Sequence, residues 1–190
     1  FAMSRIGILG GTFDPPHMGH LIVAEEVRIG LDLDEVWFIP TNEPPHKEKA
    51  MTDGKKRIEM VKKAIKGNPS FKINVIEMDR VGKSYTFDTM TVLKNQHPNT
   101  EFYFIIGADM VEYLPHWNKI DELIKIVKFV GVKRQGFQLT SSYPVLELDI
   151  PMIDISSSMI KKRLIENKTV KYLIPELVYT YISEERLYGY

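Results

Sequence analysis

The sequence predicts an α/β fold, a doubly wound parallel sheet with helices on both faces and a small helical part at the C-terminal end. Three observations predict it. Short apolar runs of strand length alternate with segments of helical length; the first run ends in Gly10-Gly11 and opens into a helix; and from Ser156 onward the chain reads as helix alone.

Arg5 to Leu9 is the first apolar run, and Gly19 to Ile29 has helical length, so the chain opens strand, glycine loop, helix. Val36 to Ile39 reads as a second strand. Thr52 or Asp53 is placed to cap a helix reaching Lys66, and Lys72 to Ile76 reads as a third strand. Phe87 to Asn95 suggests a helix, Glu101 to Ile106 a buried strand, Lys119 to Ile126 a helix and Val127 to Val132 another strand. Val145 to Leu148 is a candidate last strand, and the helical tail is interrupted before Pro175. Neither repeats nor low-complexity tracts nor linkers stand out. In such sheets ligands bind beyond the carboxyl ends of the strands, so chemistry is sought there.

At 190 residues the chain is expected to form a single domain over 1–190, with 156–190 as its C-terminal helical part. Phe1 and Ala2, ahead of Met3, read as a cloning remnant. The 25 basic and 25 acidic side chains cancel, which points away from nucleic acid and membrane surfaces and toward small-molecule substrates. A homo-oligomer is compatible with this composition. The absence of cysteine excludes disulfides, thiolate nucleophiles and thiolate metal sites, and fits a cytoplasmic protein. No apolar run approaches the roughly 18 residues of a membrane span.

The densest strand end is GGTFDPPHMGH, Gly10 to His20. Glycines let a backbone approach phosphate closely, and the helix that follows offers N–H groups and a positive dipole end. His17 and His20 stand three apart across the helix start, so both imidazoles reach one side, where they can donate to phosphoryl oxygens. Asp14 reads as a loop-holding side chain rather than a catalytic one. Rival motifs fail on spacing. Gly7, Gly10 and Gly11 do not make the dinucleotide-binding glycine pattern, and the P-loop that Gly82-Lys83-Ser84 would end needs a glycine where Glu77 stands. A zinc site on His17 and His20 lacks a third ligand. Near the other end, Ser156 is a good N-cap, and the hydroxyls and N–H groups of the next turn can meet an anion. Lys161 follows Ser157 by four residues and shares its face, whereas Arg163 points roughly 160° away from Lys161.

The loop with Gly10, Gly11, Thr12, Phe13, His17, Gly19 and His20 resembles the signature of the nucleotidylyltransferase superfamily, and Ile155-Ser156-Ser157-Ser158-Met159-Ile160-Lys161 resembles its C-terminal motif. The resemblance implies a Rossmann-like sheet in which both elements hold the phosphates of ATP. It also implies catalytic roles for His17, His20 and Lys161, with Mg²⁺ accompanying ATP. The superfamily usually carries arginine where this chain has Lys161, and lysine gives up bidentate phosphate binding.

Four further segments resemble bacterial nicotinate mononucleotide adenylyltransferases. Pro44-Pro45-His46-Lys47 corresponds to the loop beside the acceptor, with His46 or Lys47 near its phosphate, and Tyr85 and Thr86 begin a helix whose N–H groups would receive the nicotinate carboxylate. Gly107 and Asp109 would face adenosine, and Tyr113 to Trp117 would be the aromatic loop that stacks on the pyridine ring. Arg134 is assigned an adenine contact, although Gln135 departs from the proline usual after it. The implied reaction is transfer of AMP from ATP to nicotinate mononucleotide, giving a precursor of NAD, by direct in-line attack. Alternatives are another adenylyltransferase of the superfamily, such as one using phosphopantetheine, and a nucleotide-binding module without turnover.

Overall fold

The structure, a computed structural model, describes residues 3–42, 52–80, 82–151 and 153–189. Six strands form one sheet: β1 (Ser4–Gly11), β2 (Glu35–Pro40), β3 (Phe71–Ile73), β4 (Thr100–Gly107), β5 (Lys128–Lys133) and β6 (Val145–Asp149). Their order is β3-β2-β1-β4-β5-β6, and every neighbouring pair is parallel. The helices are α1 (Met18–Gly30), α2 (Gly54–Ile65), α3 (Thr86–Gln96), α4 (Ala108–Val111), α5 (Ile120–Leu123), α6 (Ser157–Ile165) and α7 (Glu176–Glu184).

The parallel sheet follows from strands with two buried faces. In β4, Tyr103 and Ile105 join one core with α1 and α2, including Ala24, Val27 and Val61. Phe102 and Ile106 join a second core with Met90 and Leu93 of α3 and Leu123 of α5. Alternate residues point to opposite faces of a strand, so an apolar run serves both layers. A third cluster packs α6 and α7 against Met60 and Ala64 of α2. Gly7 is needed where β1 is most crowded, because a β-carbon there would stand 3.0 Å from Leu33 Cδ1 and 3.3 Å from Val36 Cγ2.

Local chemistry sets the boundaries. Of the two proposed caps, Asp53 starts α2, its carboxylate accepting from Lys56 N at 3.0 Å. The third strand is shorter than the apolar pattern suggests and stops at Ile73. There the Asn74 side chain accepts from Ile76 N at 3.0 Å, so a side-chain turn takes an amide that a longer strand would need. The helix expected from Lys119 to Ile126 is confined to Ile120–Leu123. Lys119 enters it in the left-handed region at φ 53°, and the chain then turns to feed β5. A short helix α4 follows β4 directly, and a 3₁₀ turn, Leu114–His116, lies within the aromatic segment.

Candidate active site

From β1 the chain runs through α1 to β2 on one side, while β4 leads to β5 on the other, so the sheet's switch point lies between β1 and β4. Three concavities meet there. One, of about 280 Å³, is lined by Gly10, Gly11, Thr12, Tyr85, Thr86 and Trp117 among others. A second, of about 210 Å³, is lined by His17, Gly19, His20 and Ile155. A third, of about 460 Å³, is lined by Gly107, Asp109, Tyr113 and Arg134. Leu9, Ile105 and Ile106 border the first two and Gly107 borders all three, so they form one cleft along the strand ends.

His17 and His20 stack at the head of α1, ring centroids 3.8 Å apart, and Phe13 meets His20 edge-on at 4.8 Å. The His17 backbone N–H donates to His20 Nδ1 at 3.1 Å, so the proton of neutral His20 sits on Nε2. His17 is 6 % exposed, its Nδ1 has no partner among the described residues, and burial lowers its pKa from 6.5 to about 4. A β-carbon on Gly19 would lie 2.8 Å from His17 Cε1, so only glycine leaves room for that ring. Two first-turn amides of α1 are already engaged: Met18 N donates to Leu173 O at 2.9 Å and His20 N to His17 O at 3.1 Å. The dipole end is present, and the imidazoles supplement what those amides no longer offer.

The folded chain keeps His17 neutral where the unfolded chain would protonate it, so stability falls as pH drops from about 6.5 through about 4, by roughly 3 kcal/mol in all. Urea unfolding of wild type and His17→Asn across this window checks it. The variant, which cannot titrate there, should lose less stability on acidification.

The C-terminal motif reaches the glycine loop directly. Ser156 caps α6, accepting from Met159 N at 3.1 Å, and Ser157 Oγ donates to Pro15 O at 2.8 Å. The Ser157 proton is thus spent on joining the two motifs. Lys161 Nζ lies 3.9 Å from Asp14 Oδ2. Asp14 is 2 % exposed; its carboxylate also accepts from the Tyr188 hydroxyl and, at 3.4 Å, from Thr52 N, as expected of a loop-holding residue. The following Asp14–Pro15 peptide is cis.

The first concavity is apolar with a few polar atoms. Trp117 packs edge-to-face on Phe104 and Phe129, at 5.8 and 5.6 Å, while still lining the space. Thr41 Oγ1, Glu77 Oε1, Ser84 Oγ and Trp117 Nε1 are buried there without partners among the described residues, polar atoms that a bound ligand could satisfy. Burial raises the Glu77 carboxyl above the usual range, opposed by a hydrogen bond from Thr89 at 2.9 Å and the charge of Arg80. Sequence reasoning missed Thr41 and Glu77, for neither sits in a motif.

Tyr113 is 59 % exposed and stands with Asp109 and Arg134 in the third concavity rather than beside Trp117. A β-carbon on Gly107 would lie 2.8 Å from Asp109 Oδ1, so the Asp109 carboxylate folds over Gly107. Arg134 is exposed and pairs with Asp154 at 3.1 Å. The proposed acceptor-loop residues His46 and Lys47 lie outside the described residues. Among the described residues no three His, Cys, Asp or Glu side chains gather as a metal site, and no helix is long and apolar enough to cross a membrane.

Residues 8–163 match the family described as cytidylyltransferase-like. The chain is 53 % identical over 188 residues to a protein of Oceanobacillus iheyensis named "Probable nicotinate-nucleotide adenylyltransferase", covering 99 % of this chain and 98 % of that one. It is 52 % identical over 187 residues to the nicotinate-nucleotide adenylyltransferase of Bacillus subtilis, covering 98 % and 99 %. Its structure resembles Plasmodium falciparum nicotinic acid mononucleotide adenylyltransferase complexed with NaAD, with a TM-score of 0.79, 25 % identity and 98 % of each chain covered.

Proposed function

The chain belongs to the cytidylyltransferase-like family and, within it, to the nicotinate-nucleotide adenylyltransferases, and from this premise we infer that it transfers AMP from ATP to nicotinate mononucleotide, giving nicotinate adenine dinucleotide and pyrophosphate. The observation that carries the reading is that the concavity of the histidine pair and the concavity of Trp117 and Tyr85 share Leu9, Ile105, Ile106 and Gly107 in their linings, which sets them side by side along the strand ends. ATP phosphates at the histidine pair and a pyridine nucleotide beside Trp117 bring an acceptor phosphate up to the α-phosphorus.

An oxygen of the acceptor's 5′-phosphate attacks that phosphorus, the bond to the β-phosphate bridge breaks, and its electron pair leaves on pyrophosphate. The nucleophile is already anionic, so the protein's work is alignment and stabilisation of charge on the leaving group. His20 Nε2–H is a neutral donor for phosphoryl oxygens, and His17, neutral when the site is empty, gains a favourable partner when polyanion arrives. Lys161 supplies the cation, and the amides at the head of α3 receive the nicotinate carboxylate. A divalent metal accompanies ATP in this family, and we assign it as Mg²⁺, which would be held mostly by the phosphates and water. We place the enzyme in the cytoplasm, acting on small molecules.

The test is pyrophosphate release from Mg²⁺ and ATP with nicotinate mononucleotide, nicotinamide mononucleotide or phosphopantetheine. Rapid release with the first alone is expected. Equal or faster release with another acceptor would overturn the substrate assignment, and silence with all three would point to a nucleotide-binding module.

A further inference from the structure

Tyr188 stands near the C-terminal end, beyond α7, yet its hydroxyl donates to Asp14 in the glycine loop, 174 residues away. The residue is 7 % exposed and sits in the left-handed backbone region at φ 59° and ψ 27°, a conformation unfavourable for a side chain of this size. The chain accepts that cost where the turn brings the phenol inward.

Asp14 is shared between two duties. One oxygen accepts from Tyr188, and the other takes Thr52 N at 3.4 Å and faces Lys161 Nζ at 3.9 Å. At that distance the ammonium is held by charge without a hydrogen bond. A carboxylate supplied with neutral donors holds a nearby cation less tightly than one that must take its hydrogen bonds from that cation. We propose that Tyr188 is a positioning residue: by satisfying Asp14 it keeps the Lys161 ammonium loosely paired beside the glycine loop and available to an incoming triphosphate. This rests on the reading that Lys161 meets the phosphates of ATP.

Loss of the hydroxyl in Tyr188→Phe leaves Asp14 to draw Lys161 in, so the KM for ATP should rise about five- to tenfold while the KM for the acceptor stays within about twofold. Asp14→Asn removes the competing charge, so in an Asp14→Asn background Tyr188→Phe should no longer raise the KM for ATP. Damage to the fold alone would add to the effect of Asp14→Asn rather than vanish in it. The Tyr188→Phe effect should also vanish in a Lys161→Met background, which by itself raises the KM for ATP. An unchanged KM in Tyr188→Phe, a Tyr188→Phe effect that persists in the Asp14→Asn background, or one that multiplies with Lys161→Met overturns the proposal. A Lys161→Met enzyme with normal ATP kinetics sinks the assignment of Lys161 and the proposal with it, whereas an impaired Lys161→Met beside a normal Tyr188→Phe sinks the proposal alone.

Discussion

A His20→Ala enzyme is expected to lose about 100- to 1,000-fold in kcat with little change in the KM for the acceptor, the loss typical of removing one preorganised donor aimed at developing charge. The geometry explains why this imidazole cannot be spared. Its Nδ1 is fixed by the His17 amide and its ring is gripped between Phe13 and His17, so Nε2 is aimed before substrate arrives. Donors that need no reorganisation at the moment of reaction are the ones that lower barriers. His17→Ala should cost a similar factor, and because the rings support each other the double variant should lose far less than the product of the two. Steady-state pyrophosphate release at saturating ATP and acceptor measures all three. Full activity in either single variant would remove that histidine from the mechanism.

The histidine pair was legible in the sequence because everything that makes it is local: glycines, prolines and two imidazoles within one strand-to-helix turn. The same holds for Ser156, whose capping depends on the next three residues, and for the alternation of apolar runs that becomes the parallel sheet. Contacts made at a distance were not legible. Tyr188 carries no mark of Asp14 in its own neighbourhood, and Glu77 looks like any acid between a strand and a helix until the fold buries it. Tyr113 shows the limit of reading a segment as a unit, because the 3₁₀ turn Leu114–His116 separates it from Trp117 and leaves the two in different parts of the cleft. Arg57 is an intermediate case. It sits in the basic run Lys55-Lys56-Arg57 and passes for a solvated charge, yet it is spaced three, four and seven residues from Met60, Val61 and Ala64, which are the buried face of α2.

That position makes Arg57→Met the change with the largest expected effect on stability. Arg57 is 2 % exposed, and its guanidinium donates to three carbonyls: Thr52 O at 2.9 Å, Thr12 O at 3.0 Å and Thr41 O at 2.6 Å. Thr12 follows β1, Thr41 follows β2 and Thr52 leads into α2, so one side chain ties together three segments that frame the cleft. Burial lowers the pKa of the guanidinium, and the charge of Asp14 opposes that shift, so the charge is retained. Methionine keeps the stem and packs on α2 but leaves three acceptors without their donor and removes one of the two cations near Asp14. Hydrogen bonds from a charged donor contribute about 1.5–3 kcal/mol each and are not additive within one side chain, so a net loss of about 3–5 kcal/mol is expected. For a chain of this size that lowers Tm by on the order of 10 °C. Lysine should rescue little, since a single ammonium cannot reach three carbonyls that a planar fork spans. Calorimetry of the three proteins checks the order wild type, Arg57→Lys, Arg57→Met, and a methionine variant within 1 kcal/mol of wild type would show that the tie is dispensable. Because Thr12 belongs to the glycine loop, the methionine variant should also lose activity at temperatures where it is still folded. Damage there reaches the histidine pair through the loop, well before the sheet gives way.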